Sequence, residues 1–434
     1  MSTLSAPAPS LPLRAGLPAW TAIALESFGG PVAQIAVLHR VIVIERRWVS
    51  EEQFQHALSF CMLLPGPEAQ QLATYLGWRL HGMRGAVVAG SLFVLPGFVT
   101  LLGLSLLYVY AADTGVAQGV LAGIKPAVVA MVAHATGRLA PRMLGDGIRV
   151  TIALGAFAAL FLLRLPFPLV LAIAAVIGVL RFGRSALAAP AQSGTGYWRR
   201  PFAAGLLWLT LWLLPLVTAG FALGWNHVIV QEGRFFATSA LVTFGGAYAV
   251  LTYVAQEAVH RFHWLSPSEM LTGLGFAEST PGPLIQVVQF VAFLGAFRAP
   301  HPLDPLAAGI AASLLVTWVT FVPSFFFILG LGPFVERAAQ NRWLLGALRG
   351  ITAAVLGAML NLALWFALHT FFADVREVTW GVIHLTTVRP SSFNVWAFVI
   401  AALAFTALLK LRAKHIWLLA GAAAAGLLSE FGGR

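Results

Sequence analysis

Long apolar runs alternate with short polar segments along most of the 434-residue chain. The runs are about as long as a helix that crosses a bilayer, and their many glycines and alanines are typical of closely packed membrane helices. Period-2 alternation in ten-residue blocks, the mark of a membrane β-barrel, is absent from the sequence. The pattern therefore predicts helices over these runs: 20–44, 54–80, 85–110, 115–136, 150–181, 203–224, 237–257, 268–297, 305–331, 344–372 and 393–430.

Composition supports a protein embedded in a lipid bilayer. Hydrophobic residues make up 59% of the chain and charged residues 10%, which is too few charges to cover a soluble fold. The formal net charge of +11 comes from scattered basic residues such as Arg46 and Arg47. That distribution is typical of cytoplasmic loops, so we expect no nucleic-acid partner. Cys61 is the single cysteine, which excludes an internal disulfide, and the motifs predict neither a metal site nor a cofactor.

The sequence contains an internal repeat. An offset of 216 residues relates SFGGP at 27–31 to TFGGA at 243–247, and farther along the offset becomes 227. Matched pairs are Phe28 and Phe244, Trp48 and Trp264, Pro65 and Pro281, Gln70 and Gln286, and, at the larger offset, Pro96 and Pro323. Matches at such rare residue types predict two homologous halves. The heavier basic load after the first FGG motif favours opposite orientations of the halves.

The repeat defines the predicted organisation of the chain. We expect a disordered tail over 1–19, a first half over 20–182, a linker with one unpaired transmembrane helix over 183–236, and a second half over 237–430. A unit with an even number of spans needs one extra span before it can reappear upside down. The predicted fold class is thus an all-α polytopic membrane protein with inverted repeats.

Each half carries a Pro-Gly-Pro motif in the middle of an apolar run, at 65–67 and 281–283. Two prolines around a glycine cannot continue an α-helix, so each motif predicts a break between two half-helices. Irregular backbone at membrane depth is tolerated where it is buried in protein or lines a wet cavity. The half-helix N-termini would form an anion site, and inverted repeats would bring two of them together near the midplane. A proline kink that only shapes helix packing is the alternative.

The candidate substrate-binding residues lie at the repeated breaks, on the half-helices beside them, or in an apolar run. They are Phe28, Gly29, Gly30, Pro65, Gly66, Pro67, Gln70, Lys125, Gly245, Gly246, Thr280, Pro281, Gly282, Pro283 and Gln286. Amides and hydroxyls can donate to an oxyanion, and Lys125 can supply positive charge or snorkel to the interface. The glycine pairs fit close approach to a ligand or to another helix.

Three carboxylates in apolar runs are candidates for proton coupling. Glu26, Glu68 and Glu278 qualify by position, since an ionised side chain inside a bilayer is costly and is retained for function. A protonated carboxyl beside an anion site could donate to the substrate, whereas a bare carboxylate would repel it. For Glu68, a role as a cap at the helix N-terminus is the alternative.

Several of these segments resemble the chromate ion transporter family. The resemblance is carried by FGGP at 28–31, ERRWVS at 45–50, LPGPEAQ at 64–70 and GIKP at 123–126, and by a second set with FGG at 244–246, Trp264 and STPGP at 279–283. It covers roughly 20–430 and implies chromate export across the bacterial inner membrane, chromate resistance and halves of opposite orientation. The second copy has Leu284 where the first has Glu68, and Ala353 in place of Pro126, so we expect the halves to be inequivalent.

The leading hypothesis is a secondary transporter, an antiporter driven by the proton gradient or the membrane potential. Sulfate or another tetrahedral oxyanion remains an alternative substrate, because charge and shape barely separate these ions. The sequence carries no nucleophile elbow and no metal-ligand motif, which argues against a membrane enzyme. A channel and a homodimer are both compatible with the pattern.

Overall fold

A computed structural model describes residues 12–183, 201–244, 247–332, 341–411 and 415–432, and this part of the chain is mostly helical. The α-helices are α1 (Leu13–Glu26), α2 (Gly30–His39), α3 (Glu51–Cys61), α4 (Glu68–Ala111), α5 (Gly115–Met143), α6 (Gly147–Phe161), α7 (Phe167–Phe182), α8 (Pro201–Leu223), α9 (Val228–Val242), α10 (Ala247–Gln256), α11 (Pro267–Ser279), α12 (Val287–Arg298), α13 (Pro305–Phe321), α14 (Pro323–Phe325), α15 (Arg342–Phe371), α16 (Val395–Thr406) and α17 (His415–Gly432). π-Helical turns extend α2, α10, α14 and α16 over Arg40–Glu45, Glu257–Arg261, Phe326–Gly330 and Ala407–Leu411. Short 3₁₀ turns cover Leu284–Gln286 and Pro390–Ser392.

The predicted class of helical membrane protein is confirmed. Within the described residues, five helical stretches are long and apolar enough to cross a bilayer: Glu68–Ala111, Gly115–Met143, Ala203–Leu223, Pro305–Gly330 and Arg342–Phe371. Helix α4 is 44 residues long but has a non-helical residue at Gly82, where φ is +69°. That break falls between the two apolar runs that the sequence separated.

A β-hairpin between α15 and α16 was not expected from the sequence. Strands β1 (Val375–Trp380) and β2 (Ile383–Val388) pair antiparallel, and the turn between them includes Gly381 at φ +59°. The hairpin packs on the α6–α7 turn, where Arg164 pairs with Glu377. Its strands are only six residues long, so a search for ten-residue alternation overlooked them.

The first helix begins earlier than predicted. Residues 13–19, which were assigned to a disordered tail, are helical, and Ala19 is buried. Pro12 is the N-cap of α1, and Pro18 lies inside the helix. Gly16 and Ala19 are buried on the same helix as Trp20, Ile23 and Ala24, so the packed face of the helix extends into the predicted tail. The remainder of the predicted tail, 1–11, and the linker segment 184–200 lie outside the described residues.

The chain divides into two compact units. Unit 1 comprises Met1–Gly103, Ala188–Ala247 and Thr280–Asn341, and unit 2 comprises Leu104–Leu187, Tyr248–Ser279 and Arg342–Arg434. Each unit therefore takes segments from both sequence halves. The domain boundaries drawn from the repeat stay a prediction about the halves and are distinct from these spatial units.

Unit 1 is built on an apolar core from α1 to α4 together with the segment after Pro323. Large buried side chains in this core include Trp20, Phe54, Phe93 and Ile328. Helix α13 packs against α8, α9 and α12. Two indole hydrogen bonds join α8 to α13. Trp212 Nε1 donates to the Val319 carbonyl at 2.9 Å, and Trp318 Nε1 donates to the Leu211 carbonyl at 2.8 Å.

Unit 2 is held together by close helix contacts at small residues. Helix α15 packs along α7 and α17 packs along α5. A Cβ on Gly350 would collide with the backbone of Ala174, and a Cβ on Gly123 would collide with that of Ala422. Gly123 and Gly350 are equivalent under the 227 offset, whereas Ala174 and Ala422 are 248 residues apart. The second half is therefore longer than the first between its glycine and its alanine, and the hairpin lies in this longer stretch.

Local conformation repeats with the sequence, which confirms the two homologous halves. Arg47 and His263 are 216 residues apart and both have positive φ, 54° and 52°. Each follows a π-helical turn. Ser50 and Ser266 then cap α3 and α11, each accepting a backbone N–H three residues on. An identical unusual backbone at equivalent positions indicates descent of both halves from one unit.

Candidate functional site

The first Pro-Gly-Pro motif separates α3 from α4. Gly66 has φ +124°, a region that side chains rarely adopt. The side-chain amide of Gln71 fixes the loop, because its Nε2 donates to the Pro65 carbonyl at 2.7 Å. A Cβ on Gly66 would lie 2.6 Å from that same Nε2 atom. The break is therefore a rigid structure that requires glycine.

The second motif separates α11 from the 3₁₀ turn that leads into α12. Gly282 has φ +103°, and its position lies against the backbone of α4. A Cβ on Gly97 would come within 2.5 Å of the Pro281 carbonyl oxygen. Gln34 Nε2 donates to the Gly282 carbonyl at 2.6 Å. The second break is thus held by residues of the first half.

Reciprocal backbone hydrogen bonds join the two breaks to the two FGG segments. The Gly66 N–H donates to the Thr243 carbonyl at 2.8 Å, and the Gly282 N–H donates to the Ser27 carbonyl at 2.8 Å. Both donors and both acceptors are related by the 216 offset. Each half therefore completes the break of the other half, which is the pattern of contacts that a two-fold relation produces. All four segments belong to unit 1.

The FGG segments are breaks in their own right. Gly29 and Gly30 have φ values of +82° and +80°, so both positions need glycine. The preceding hydroxyls repeat as well, since Ser27 donates to the Ile23 carbonyl and Thr243 to the Ser239 carbonyl, each at 2.6 Å. The candidates Gly245 and Gly246 lie outside the described residues. Phe28 is half-buried beside the first pair.

Helix α4 passes both breaks. A Cβ on Gly90 would contact Thr74 and Phe325, and one on Gly97 would contact Pro281. Phe325 follows Ser324, which lies beside Gly66. Gly90 and Gly97 are two helical turns apart, or about 10 Å. Helix α4 therefore contacts the second break at Gly97 and, two turns earlier, the Phe325 side chain next to Ser324.

Buried polar groups without partners lie near these breaks. Both amide atoms of Gln70, the Oγ atom of Ser324 and the Oε1 atoms of Gln34 and Gln286 have no hydrogen-bond partner in the part of the chain that the structure describes. Gln70 is 0% and Ser324 1% exposed. The Ser324 hydroxyl lies 3.8 Å from the position that a Gly66 Cβ would occupy. Buried groups of this kind are costly unless something bonds to them, so these atoms are available to bind a ligand.

The helix end after the first break adds further donors. Glu68 is the first residue of α4, and the N–H groups of a helix's first turn have no acceptor within the helix. The same end carries the positive pole of the helix dipole. After the second break Leu284–Gln286 forms a 3₁₀ turn, so the two helix ends differ in geometry. The Gln286 Nε2 atom already donates to Gln289 Oε1 at 2.6 Å.

The predicted carboxylates fall into different surroundings. Glu68 is half-buried at the first break. Glu26 forms an ion pair with Arg40, and the Glu26 side chain is 51% exposed, an arrangement typical of an ion pair at the protein surface. Glu278 is buried in unit 2, in contact with Tyr248 and His415. Thr280 is buried at the start of the second break.

Lys125 belongs to unit 2 and not to the unit that holds the breaks. It lies on α5 with an intermediate exposure, and the charge of Glu269 in the same unit acts on it. Lys125 and Glu278 are thus the candidates that fall in unit 2, while the other described candidates fall in unit 1.

Sequence reasoning missed several groups. Ser324 corresponds to Gly97 under the 227 offset. This difference between the two halves is the sequence signal that marks Ser324, because the first half has no hydroxyl there. Gln34 lies in an apolar run without any motif. Glu232 on α9 was also missed, and it is 0% exposed with both carboxylate oxygens unpartnered among the described residues.

These features define a polytopic helical membrane protein with a buried polar site made jointly by two homologous halves. A family model described as chromate transporter matches residues 17–179 and 230–427. The chain belongs to the chromate transporter family.

Named relatives support this assignment. The chain is 32% identical over 356 residues to a chromate transport protein of Pseudomonas aeruginosa, with 80% of this chain and 77% of the relative covered. It is 27% identical over 361 residues to a chromate transport protein of Cupriavidus metallidurans, with 81% and 82% covered. It is also similar to the transporter YwrB of Bacillus subtilis, at 27% identity over 158 residues, 36% of this chain and 80% of that protein. No solved structure matches.

Proposed function

We propose that this protein exports chromate across the bacterial inner membrane and thereby confers chromate resistance. The oxyanion binds in unit 1 beside the paired Pro-Gly-Pro breaks. The first-turn amides of α4, the Gln70 side chain and the Ser324 hydroxyl donate hydrogen bonds to it. Gly66 and Gly282 maintain the shape of the breaks but do not themselves bind the anion, since their N–H groups are already bonded to Thr243 and Ser27.

The observation that carries this proposal is a pair of unpartnered buried donors next to the first break, the Gln70 Nε2 atom and the Ser324 hydroxyl. A tetrahedral oxyanion accepts several hydrogen bonds at once, which matches such a set. Neutral donors at a helix N-terminus bind anions without a full counter-charge. A bound anion can then leave again, as a transport cycle requires.

The reciprocal bonds support alternating access with the halves in opposite orientation. Inverted repeats place a binding site at the interface between repeats and expose it to each side of the membrane in turn. We assign the coupling to protons, with Glu68 and Glu278 as the carboxyls that carry them. Glu26 is a weaker candidate because its carboxylate is paired and exposed.

Uptake of radiolabelled chromate into inside-out vesicles tests this function. Export by the protein in the cell appears as uptake into such vesicles. Ser324→Ala removes a proposed ligand and should lower uptake by about tenfold or more, the loss of one hydrogen bond to a charged group. The matched control is Ser239→Ala, another buried serine of unit 1, whose hydroxyl bonds only to the Phe235 carbonyl of its own helix.

Sulfate is the second candidate, and the neutral donor set favours it as much as chromate. Nothing in a set of amides and hydroxyls distinguishes two divalent tetrahedral anions. Competition in the same vesicles decides between them. If unlabelled sulfate suppresses chromate uptake at equal concentration, the site accepts oxyanions as a class. Equal uptake by Ser324→Ala and wild type would remove the proposed site.

A further inference from the structure

A buried acid–imidazole–phenol cluster lies in unit 2. The Tyr248 hydroxyl donates to Oε1 of Glu278 at 2.7 Å, and Nδ1 of His415 lies 3.1 Å from Oε2 of the same carboxyl. Glu278 sits one residue before the end of α11, in the segment that continues directly into the second Pro-Gly-Pro motif. Both carboxyl oxygens are therefore engaged by groups that titrate or donate.

Exposure differs sharply within the cluster. The Glu278 side chain is 2% exposed, whereas that of His415 is 23% exposed. A bare carboxylate at such burial is costly. A protonated imidazole would neutralise the carboxylate, and the partly exposed His415 ring links Glu278 to the surface of the protein. This is the arrangement that a proton needs to reach a buried acid.

The cluster is absent from the equivalent positions of the first half. Under the offsets that relate the halves, its three members correspond to Met62, Val32 and Phe167. All three are apolar, and the fold of the first half forms without an acid there. The cluster is thus not a requirement of the repeated architecture, which points to a functional role.

We propose that Glu278 and His415 together bind and release one proton in each transport cycle, with Tyr248 positioning the carboxyl. This inference rests on the proposed transport function. With the proton bound, the pair is neutral overall, either as imidazolium and carboxylate or as imidazole and carboxylic acid. Release of that proton through His415 leaves one net negative charge in unit 2.

Other charged groups around the cluster modulate it. On α5, the charge of Arg138 acts on both Tyr248 and His415, and His134 interacts with His415. The positive charge of Arg138 repels the imidazolium form of His415. Helix α15, which also packs against α11, carries further titratable or cationic groups near its two ends: Arg342, Arg349 and His369.

Reconstituted protein in proteoliposomes tests the proposal with two measurements, chromate exchange at equal pH and chromate uptake driven by an imposed pH gradient. Glu278→Gln should keep exchange within about threefold of wild type and lose the stimulation by the gradient. The matched control is Glu257→Gln, a carboxylate of the same unit that pairs with Arg261; it should keep both activities. Glu278→Gln that retains full gradient stimulation would overturn the proposal.

Tyr248→Phe provides a test that leaves the carboxyl in place. It removes a hydrogen bond that favours the ionised form, so the pH midpoint of gradient-driven uptake should move to higher pH by about one unit. His415→Gln should flatten the pH profile. Unchanged midpoints in both variants contradict the proposal even if Glu278→Gln fails to fold. Wild-type protein without chromate flux would refute the transport function itself, whereas wild-type flux indifferent to the pH gradient would refute only the proton site.

Discussion

Replacing Gly66 by alanine tests whether the rigid first break is needed for transport. The position has φ +124°, and forcing a side chain into such a region costs about 1–3 kcal/mol. The new Cβ would also lie 2.6 Å from Gln71 Nε2 and displace its hydrogen bond to Pro65, at a further cost of about 0.5–1.5 kcal/mol. The sum is roughly 2–4 kcal/mol, and each 1.4 kcal/mol is about tenfold in a population.

We therefore expect Gly66→Ala to lower chromate uptake into inside-out vesicles by at least about tenfold. The matched control is Gly82→Ala. Gly82 also has a positive φ, +69°, but a Cβ there would meet nothing within 4 Å. Its cost is backbone strain alone, about 1–3 kcal/mol at φ +69° and ψ −159°. Because this strain does not act on the first break, uptake per molecule should stay near that of wild type.

The amount of each variant in the membrane is measured by immunoblotting, and uptake is expressed per molecule. A Gly66→Ala protein that transports within twofold of wild type would refute the reasoning, because the intact break would then be dispensable. Equal losses in both variants would attribute the effect to backbone strain in general rather than to the break.

Gln70→Leu should lower chromate uptake about tenfold while thermal unfolding in detergent shows an unchanged or higher midpoint, because a buried amide without partners is replaced by an apolar group. Gly123→Val should destabilise the protein by more than about 1–3 kcal/mol, since its side chain meets the α17 backbone; Gly137→Val, in open space on the same helix, should not. Burial acts to raise the pKa of Glu377, but the hydrogen bond and charge of Arg164 lower the pKa overall. The ion pair therefore stabilises the protein, by at most about 1 kcal/mol, above the ordinary carboxyl pKa, and this stabilisation is lost as pH falls through the lowered pKa. The free energy of unfolding of Glu377→Gln should accordingly differ from that of wild type only above that pH range.

The helices and the repeat could be predicted because each depends on a pattern that is visible in the sequence alone. Apolar runs set the helix positions, and rare residues at a fixed offset set the equivalence of the halves. The glycine of each Pro-Gly-Pro motif was predictable as a break for the same reason, since proline acts on its own turn.

Pairings across the chain were less accessible. Nothing near Gly66 in sequence indicates that its N–H donates to the Thr243 carbonyl. The role of Lys125 as a substrate ligand stays a prediction. Ser324 and Gln34 carry no motif, so only their burial without partners marks them. The hairpin was overlooked because its strands are short and its side chains are largely exposed.

The crossed hydrogen bonds have an evolutionary consequence. A half-length chain with one Pro-Gly-Pro motif and one FGG segment has one such N–H donor and one such carbonyl acceptor. In the present architecture, however, the donor of each half bonds to the acceptor of the other half. An ancestral half-length protein would have closed both bonds only by associating with a second molecule. Fusion of two copies into one polypeptide made that association permanent. It also left each copy free to change alone, so Glu68 in one copy corresponds to Leu284 at the equivalent position, and Glu278 in the other corresponds to Met62.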